Sequence, residues 1–301
     1  MSLATRWLDA SHATSLVSEG TNAFRIATGE GFWIEFYAGA ALISTRQDAL
    51  WDQIIHEVES WASLTSIELD CIYLRRLVTE PGARDIPELV SGNPSSSKHL
   101  VRELGLTYEI DFALGYNPGL FTDQRANRTI LDRLSPRRVL NTFAHTCAFS
   151  VVAASKGSET WSVDISKSSL ARGRRNFELN SLESASHRFV VEDVPTYLRR
   201  LSKRGEKFDA IILDPPTFGR GGGSKTFRFD RDFPNLLRDA QAVCSHGGSI
   251  LLSTNSTTWS AAQLESLAKQ ILPPKTRYER ALKQEDYPEG TPSATVWAHL
   301  P

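Results

Sequence analysis

Apolar and polar positions follow different rhythms in the two parts of the chain. Over about the first 90 residues, β-type runs occur at Ala23–Thr28, Gly31–Tyr37, Ala41–Thr45 and Ile72–Leu77. Between them Leu50, Ile54, Ile55, Val58 and Trp61 recur at helical spacing, with Asp52, Glu57 and Glu59 on other faces. That pattern predicts one amphipathic helix over about Asp48–Ser63. Pro87–Ser97 is rich in turn formers and reads as a surface loop or linker. Short strands are expected near Leu100–Leu104 and Thr107–Phe112, followed by the turn-rich Gly115-Tyr116-Asn117-Pro118-Gly119.

From Arg125 the rhythm becomes a regular alternation. Helices are expected at Arg125–Leu134, Ser150–Lys156, Ser166–Asn180 (with Asn180 as a left-handed terminator), Val194–Ser202 and Phe233–Val243. Strands are expected at Arg138–Asn141, Glu159–Asp164, Arg188–Glu192, Phe208–Leu213 and Ser249–Ser253. Such alternation predicts an α/β fold, a Rossmann-like parallel sheet with helices on both faces, preceded by a smaller N-terminal α/β domain. The expected boundaries are 1–98 for the small domain, 99–118 for connecting strands and 119–301 for the sheet domain.

Composition narrows the picture without naming a substrate. The 301 residues are 41% hydrophobic and 23% charged, enough to bury two ordinary cores. No apolar run approaches the ~20 residues of a membrane helix, and no signal peptide is apparent at Met1–Arg6, so a cytoplasmic protein without a membrane partner is expected. The 3 cysteines, Cys71, Cys147 and Cys244, are too far apart for a disulfide framework or a zinc site, and no metal is expected. With a net charge of −1, a nucleic-acid partner has to be met by a local basic patch. Oligomeric state is not legible.

Chemistry concentrates where the strands end. The first ends at Asn141-Thr-Phe-Ala-His-Thr-Cys-Ala-Phe-Ser150, the next at Asp164, the third at Asp193 and the fourth at Asp214-Pro-Pro-Thr-Phe218. Right-handed crossovers bring all of these to one sheet edge, where ligands of such folds bind. A single acid there most often caps the following helix; acids at successive strand ends point to a ligand. S-adenosylmethionine needs a carboxylate for its ribose hydroxyls, which suits Asp164, and an acceptor for its adenine amine, which suits Asp193. Amides of the first turn and the helix behind it suit its carboxylate. The dinucleotide alternative requires a Gly-x-Gly-x-x-Gly turn, and no glycine lies between Asn141 and Ser150.

Gly119-Leu-Phe-Thr-Asp-Gln-Arg125, Asn141–Ser150, Val163-Asp-Ile-Ser166, Asn176-Phe-Glu-Leu-Asn180 and Asp214–Phe218 together resemble the bacterial large-subunit ribosomal RNA methyltransferases, the 23S cytosine-C5 enzymes and their guanine-N7 relatives. The resemblance spans about residues 100–300 and extends faintly to Thr21–Arg25 and Gly29–Gly31; no additional N-terminal RNA-binding PUA domain is found. It implies a class I S-adenosylmethionine-dependent methyltransferase acting on RNA, ribosomal RNA or its precursor. The cofactor is expected against Phe121, Asp123, Gln124, Asn141, Phe143, Thr146, Asp164, Ile165, Ser166, Asp193, Val194 and Asp214. Gly119–Arg128 is expected to cover it, the alternative being a linker helix capped by Asp123. Cys147 stands at a usual glycine; either the position needs a positive φ and is strained, or, the preferred reading, it tolerates a small side chain.

The expected catalytic residues are Asp214, Pro215 and Phe218: the acid accepts a hydrogen bond from an amino group, the prolines hold it, and the ring stacks on an extruded base. Cytosine C5 needs a thiolate to add at C6. Where family members doing this carry that cysteine, this sequence has Ser253-Thr-Asn255-Ser256. A nitrogen acceptor of an RNA base is therefore expected; a small molecule or protein side chain is the alternative. Gly219–Lys225 reads as a mobile loop in which Arg220 and Lys225, with Arg228 and Arg231 beyond it, meet phosphates or simply solvent.

Overall fold

The computed structural model describes residues 5–46, 51–77, 86–114, 117–220, 226–287 and 290–301, without the side chains of 51, 218–220 and 226. The chain forms two compact units. One comprises Met1–Thr122 with Gln284–Glu289, the other Asp123–Lys283 with Gly290–Pro301.

The first unit is a six-stranded sheet in the order β1 (Arg6–Trp7), β2 (Ala23–Gly29), β3 (Phe32–Tyr37), β4 (Ala40–Thr45), β5 (Cys71–Arg76), β6 (Glu88–Gly92). Helix α1 (Ala10–Ser18) is capped by Asp9, which accepts the Ser11 N–H at 2.8 Å. Helix α2 (Trp51–Thr65) buries Ile54, Val58 and Trp61 in the core with Phe24, Ile26 and Ile34; the expected start at Asp48–Leu50 lies outside the described residues. The strand pair β7 (Lys98–Glu103) and β8 (Leu106–Asp111) completes the unit. Its adjoining turn was expected to include Gly115 and Tyr116, which also lie outside the described residues.

Part of the expected Pro87–Ser97 loop is strand β6, paired antiparallel with β5. It is an edge strand with mostly exposed side chains, so it has no apolar alternation to read. Its Gly92 has φ +84°, and a Cβ there would lie 2.1 Å from the Asp70 carbonyl oxygen, which accounts for glycine in this strand.

The second unit has a seven-stranded sheet built from β9 (Arg138–Thr142), β10 (Glu159–Asp164), β11 (Arg188–Val191), β12 (Phe208–Leu213), β15 (Cys244–Thr254), β16 (Arg277–Glu279) and β17 (Ala294–His299). Their order is β11-β10-β9-β12-β15-β17-β16. Strands β11 through β15 in that order run parallel, and β17 is antiparallel to both neighbours. A small ribbon, β13 (Phe218–Arg220) with β14 (Thr226–Arg228), follows β12.

Both faces of the sheet are covered. Leu140, Ile211, Leu213, Ile250 and Leu252 enter one core with residues of α6 (Val194–Lys203), α7 (Phe229–Val243) and α8 (Ala261–Ile271). Their neighbours Val139, Ala210, Ile212 and Leu251 enter the other, with Ile130 and Leu131 of α3 (Arg125–Leu134) and Phe149 and Ala153 of α4 (Ala148–Ser155). Strands buried on both sides read as continuous apolar runs, which is why they stand out in the sequence. In α6, Val194, Tyr197, Leu198 and Leu201 supply the i, i+3, i+4, i+7 stripe that meets the first of these cores.

Two terminal details differ from expectation. Helix α5 (Lys167–Leu179) ends at Asn180 with φ −109°, and the left-handed residue is Ser181 at φ +53°. Cys147, the residue before α4, has φ +63° and ψ +27°, so its position does require the left-handed region. The side chain fits because α5 carries Gly173 opposite: a Cβ there would lie 2.3 Å from the Cys147 Sγ. Gly173→Ala should therefore destabilise the protein by about 1–3 kcal/mol through overpacking, despite alanine's better helix propensity. In the Cys147→Gly background the same change should cost less, giving a coupling of at least about 0.5 kcal/mol in urea unfolding. Additive effects would show that the two positions do not meet.

Candidate active site

Strand order reverses between β9 and β12, so the loops leaving their carboxyl ends diverge and open a crevice. The loop after β9 is unusually bent: Phe143, His145 and Cys147 all have positive φ, at 54°, 47° and 63°. Asp164, at the end of β10, holds it in place. One carboxylate oxygen accepts the His145 N–H at 2.9 Å and the other accepts the Ser166 N–H at 2.8 Å. Ala144 N–H donates to the Val163 carbonyl at 3.0 Å, and Asn176 of α5 donates to the Thr146 carbonyl at 2.9 Å. A carboxylate offers about four acceptor sites, so these two bonds leave Asp164 capacity for ligand hydroxyls. Burial and the Arg172 charge push the His145 imidazole down to about 4, so it is neutral at physiological pH.

Apolar surface flanks this carboxylate. Ile165 is 52% exposed, as is 54% of Val191, which lies opposite Asp164 in the sheet register. Exposed aliphatic side chains beside a half-exposed acid suit a flat heterocycle joined to a sugar. The residues present therefore fit an adenosyl group.

Other expected residues have structural partners. Asn141 donates to Ser150 Oγ at 2.9 Å, and that hydroxyl meets Ser162 Oγ at 2.8 Å, so the amide faces the interior. Ser166 caps α5 through the Ser169 N–H at 3.1 Å. Asp193 caps α6, accepting the Thr196 N–H at 3.2 Å and its hydroxyl at 2.8 Å. Val194 and Thr146 are buried, and Phe143 packs on Phe227 with ring centroids 6.2 Å apart. Phe121 falls in the first unit and is 41% exposed.

Near the Asp214 carboxylate, after β12, runs a chain of buried polar groups that sequence reading missed. Trp297 Nε1–H donates to Asn127 Oδ1 at 3.1 Å, Asn127 Nδ2 to Gln124 Oε1 at 2.8 Å, and Gln124 Nε2 to Ser253 Oγ at 3.0 Å. Ser253, where that chain ends, lies close enough to Asp214 to favour its charged form. Gln124 is thus committed to the protein itself, and as the residue before α3 it makes no side-chain cap. Asp123 is not the cap either; it accepts the Ser293 hydroxyl at 2.7 Å. Burial and the nearby Asp123 charge raise Asp214, neighbouring Ser253 and buried Arg128 oppose them, and the carboxyl is left pushed up to about 6. The available sequence signal was the polar Ser253-Thr254 closing an apolar strand.

Pro215 is buried and Pro216 exposed, and Thr217 donates to Asn255 Oδ1. Thr217 and Asn255 border a cleft of about 540 Å³ that is also lined by Arg228, Phe229, Asp230 and Ser256. Phe218 opens the β13–β14 ribbon opposite Arg228. Its side chain and that of Arg220 are outside the described set, as is the 221–225 stretch with Lys225.

No cysteine is placed to act. Cys71, Cys147 and Cys244 are all buried, and burial pushes their thiols up to about 11, 12 and 12. Among the described residues no group of His, Cys, Asp and Glu is arranged to hold a metal ion, and no helix is long and apolar enough to cross a membrane.

Comparison with known proteins agrees with this geometry. Residues 67–300 match the model of a family described as S-adenosylmethionine-dependent methyltransferase. YwbD of Bacillus subtilis (strain 168), named a candidate ribosomal RNA large subunit methyltransferase, is 34% identical over 80% of this chain and 63% of its own length. A ribosomal RNA large subunit methyltransferase of Deinococcus radiodurans is 30% identical over 81% of this chain and 62% of its own length. The chain thus spans less than two thirds of these curated relatives. Among solved structures, SMU.776, a candidate methyltransferase complexed with SAH, superposes with a TM-score of 0.78 and 26% identity, covering 96% of this chain and 77% of that one. With the parallel sheet, the bent loop after β9 and the acids at the strand ends in view, the chain belongs to the S-adenosylmethionine-dependent methyltransferase family.

Proposed function

We propose that this chain transfers a methyl group from S-adenosylmethionine to a nitrogen of an RNA base, a guanine being the best fit, without a covalent enzyme intermediate. The carrying observation is the contrast between three buried, unreactive thiols and one acceptor carboxylate, Asp214, at the end of β12. Carbon methylation at cytosine C5 needs a thiolate; a ring or amino nitrogen has its own lone pair. The names of the relatives support RNA as the acceptor class.

When bound, the cofactor supplies an electrophilic methyl group. Asp164 holds ribose hydroxyls while keeping the loop after β9 in shape, Ile165 and Val191 flank the adenine, and Asp193 with the Val194 N–H faces its edge. Asp214 accepts an N–H of the base and so turns the nucleophilic nitrogen toward the methyl. Pro215 and Pro216 restrict the backbone that carries it. Phe218 stacks on the base, and Arg228 and Arg231 meet backbone phosphates. The enzyme's contribution is alignment and electrostatics, worth most in a site that excludes water.

Asp164→Ala should lose about 1.5–3 kcal/mol of S-adenosylhomocysteine affinity, the usual worth of a charge-assisted hydrogen bond, measured by calorimetry. Unchanged affinity would remove Asp164 from the site.

Ionised Asp214 is the stronger acceptor, because the charge-assisted bond it makes is about twice as strong as that of a neutral acid. Its carboxyl titrates at about 6, so turnover should fall as the pH drops through that value and level off above it. Asp214→Ala should reduce turnover by orders of magnitude with little change in cofactor affinity. Asp214→Asn keeps a carbonyl acceptor and should retain part of the activity with the acid limb gone. Rates of Asp214→Ala matching the parent on unmodified ribosomal RNA would refute the assignment.

RNA containing 5-fluorocytosine traps enzymes that add a thiolate to C6. No adduct should form with this protein on a denaturing gel, and a stable one would overturn the nitrogen reading.

A further inference from the structure

Between Lys167 and Arg204 the chain carries 9 lysines and arginines against 4 acids, in a protein whose net charge is −1. Several of these cations have an evident structural use. Arg175 pairs with Glu178 at 3.2 Å, Arg199 with Asp239 at 3.3 Å, and Arg200 with Glu192. Lys203 and Arg204 close α6, where the helix dipole favours positive charge. Lys167, Arg174 and Arg188 are different. All three are exposed, and none forms an ion pair or a side-chain hydrogen bond with a described residue.

Two of them are held by aromatic rings. The Arg174 guanidinium, from α5, lies 4.3 Å from the centre of the Phe189 ring in β11. That of Arg188 lies 3.9 Å from the Trp161 ring, its partner across the β10–β11 register. A ring holds a guanidinium through its face and leaves all five N–H donors for another acceptor. Strand β11 is the outer strand of the sheet. Phe189 packs on Phe177 of α5 and Trp161 on Tyr197 of α6, so the two guanidiniums flank this edge from opposite faces. Lys167 is the first residue of α5, where the positive end of the helix dipole disfavours a cation. Seven residues before Arg174, it shares that residue's side of the helix, about 10 Å back along the axis. It thus sits at the end of α5 that Asp164 and Ile165 adjoin. Solvation accounts for exposed charge. It does not account for a lysine at the wrong end of a helix, or for two arginines fixed on rings without an anion.

We propose that Lys167, Arg174 and Arg188 form a phosphate track that holds an RNA backbone along the α5–β11 edge, beside the candidate cofactor site. The inference rests on the RNA acceptor proposed above and adds the surface that carries it. Phosphate oxygens match these donors: a guanidinium binds them as a planar fork and an ammonium as a point charge. Such contacts carry no sequence information; they fix where the RNA lies while the site selects the base.

The test follows binding of a fluorescein-labelled RNA hairpin to the full chain by fluorescence anisotropy between about 50 and 200 mM KCl. Each lost phosphate contact lowers the slope of log K against log salt by about 0.7–0.9. The combined variant Lys167→Gln, Arg174→Gln, Arg188→Gln should therefore flatten the slope by about 2–3 and weaken low-salt binding about tenfold or more. The charge-matched variant Arg175→Gln, Arg199→Gln, Arg204→Gln should keep the parent slope. In the first variant S-adenosylhomocysteine affinity should match the parent, and methyl transfer to unmodified ribosomal RNA should show a raised KM with kcat retained. If the combined variant does not fold, the three single variants decide, each flattening the slope by about 0.7–0.9. An unchanged slope in the first variant, or equal flattening in both, would overturn the track. Methyl transfer to ribosomal RNA with an unchanged slope would remove the track and keep the proposed function. A flattened slope in a protein whose parent methylates no ribosomal RNA would keep the track and refute the function.

Discussion

The bond from the His145 N–H to Asp164 is the constraint on which the candidate site depends. Between Phe143 and Cys147 the backbone visits the left-handed region repeatedly at residues that carry side chains. Such conformations cost of order 1–3 kcal/mol each and persist only where the surroundings over-determine them. Here the surroundings do: Asp164 takes one amide, the Val163 carbonyl takes another, Asn176 binds the Thr146 carbonyl, and Gly173 leaves room for the Cys147 sulfur. The bent loop is thus written jointly by β9, β10 and α5.

The acids along that edge show why capping and ligand binding are not competing explanations. Wherever a strand runs into a helix, the first turn of the helix has unpaired N–H groups and draws an acceptor to that position. A nucleoside ligand brings hydroxyl and amino donors to the same edge. Asp193 and Ser166 serve their helices visibly, and Asp164 serves the backbone on either side of it. A carboxylate rigidly bound by backbone N–H groups is already oriented when a ligand arrives, so the structural duty lowers the entropic cost of the functional one.

How much of this was legible depended on burial and on distance along the chain. Helix α3 and strands β10 and β12 have the ends that their apolar patterns indicate, because both faces of the sheet or one full helical face are buried. Strand β6 escaped because its side chains are mostly exposed, and β17 went unread although the turn formers Pro288-Glu-Gly-Thr-Pro-Ser293 mark its start. The site divides the same way. Asp164, Asp193 and Asp214 are visible as acids after apolar runs. The polar chain is not visible at all, because Trp297 and Asn127 are 170 positions apart and neither is unusual for its own element. Cys147 was legible as a departure, whereas its compensation at Gly173 was not, since a glycine inside a helix announces no partner.

Asp214 stands where stability alone would not place it. Its folded carboxyl titrates at about 6, against an ordinary value of 3.8. Between those values the folded chain holds a proton that the unfolded chain has lost. The group's contribution to stability is therefore greatest below about 4 and is lost as the pH rises through about 6. Asp123 worsens the position, whereas Ser253 and Arg128 relieve it. A protein free to drop the acid would gain stability at neutral pH by doing so. Keeping it, with the buried Arg128 guanidinium nearby, makes sense if a half-buried acceptor is what the reaction requires. A nitrogen acceptor needs such a group to orient it, whereas a carbon acceptor needs a thiolate that this fold has buried at Cys71, Cys147 and Cys244.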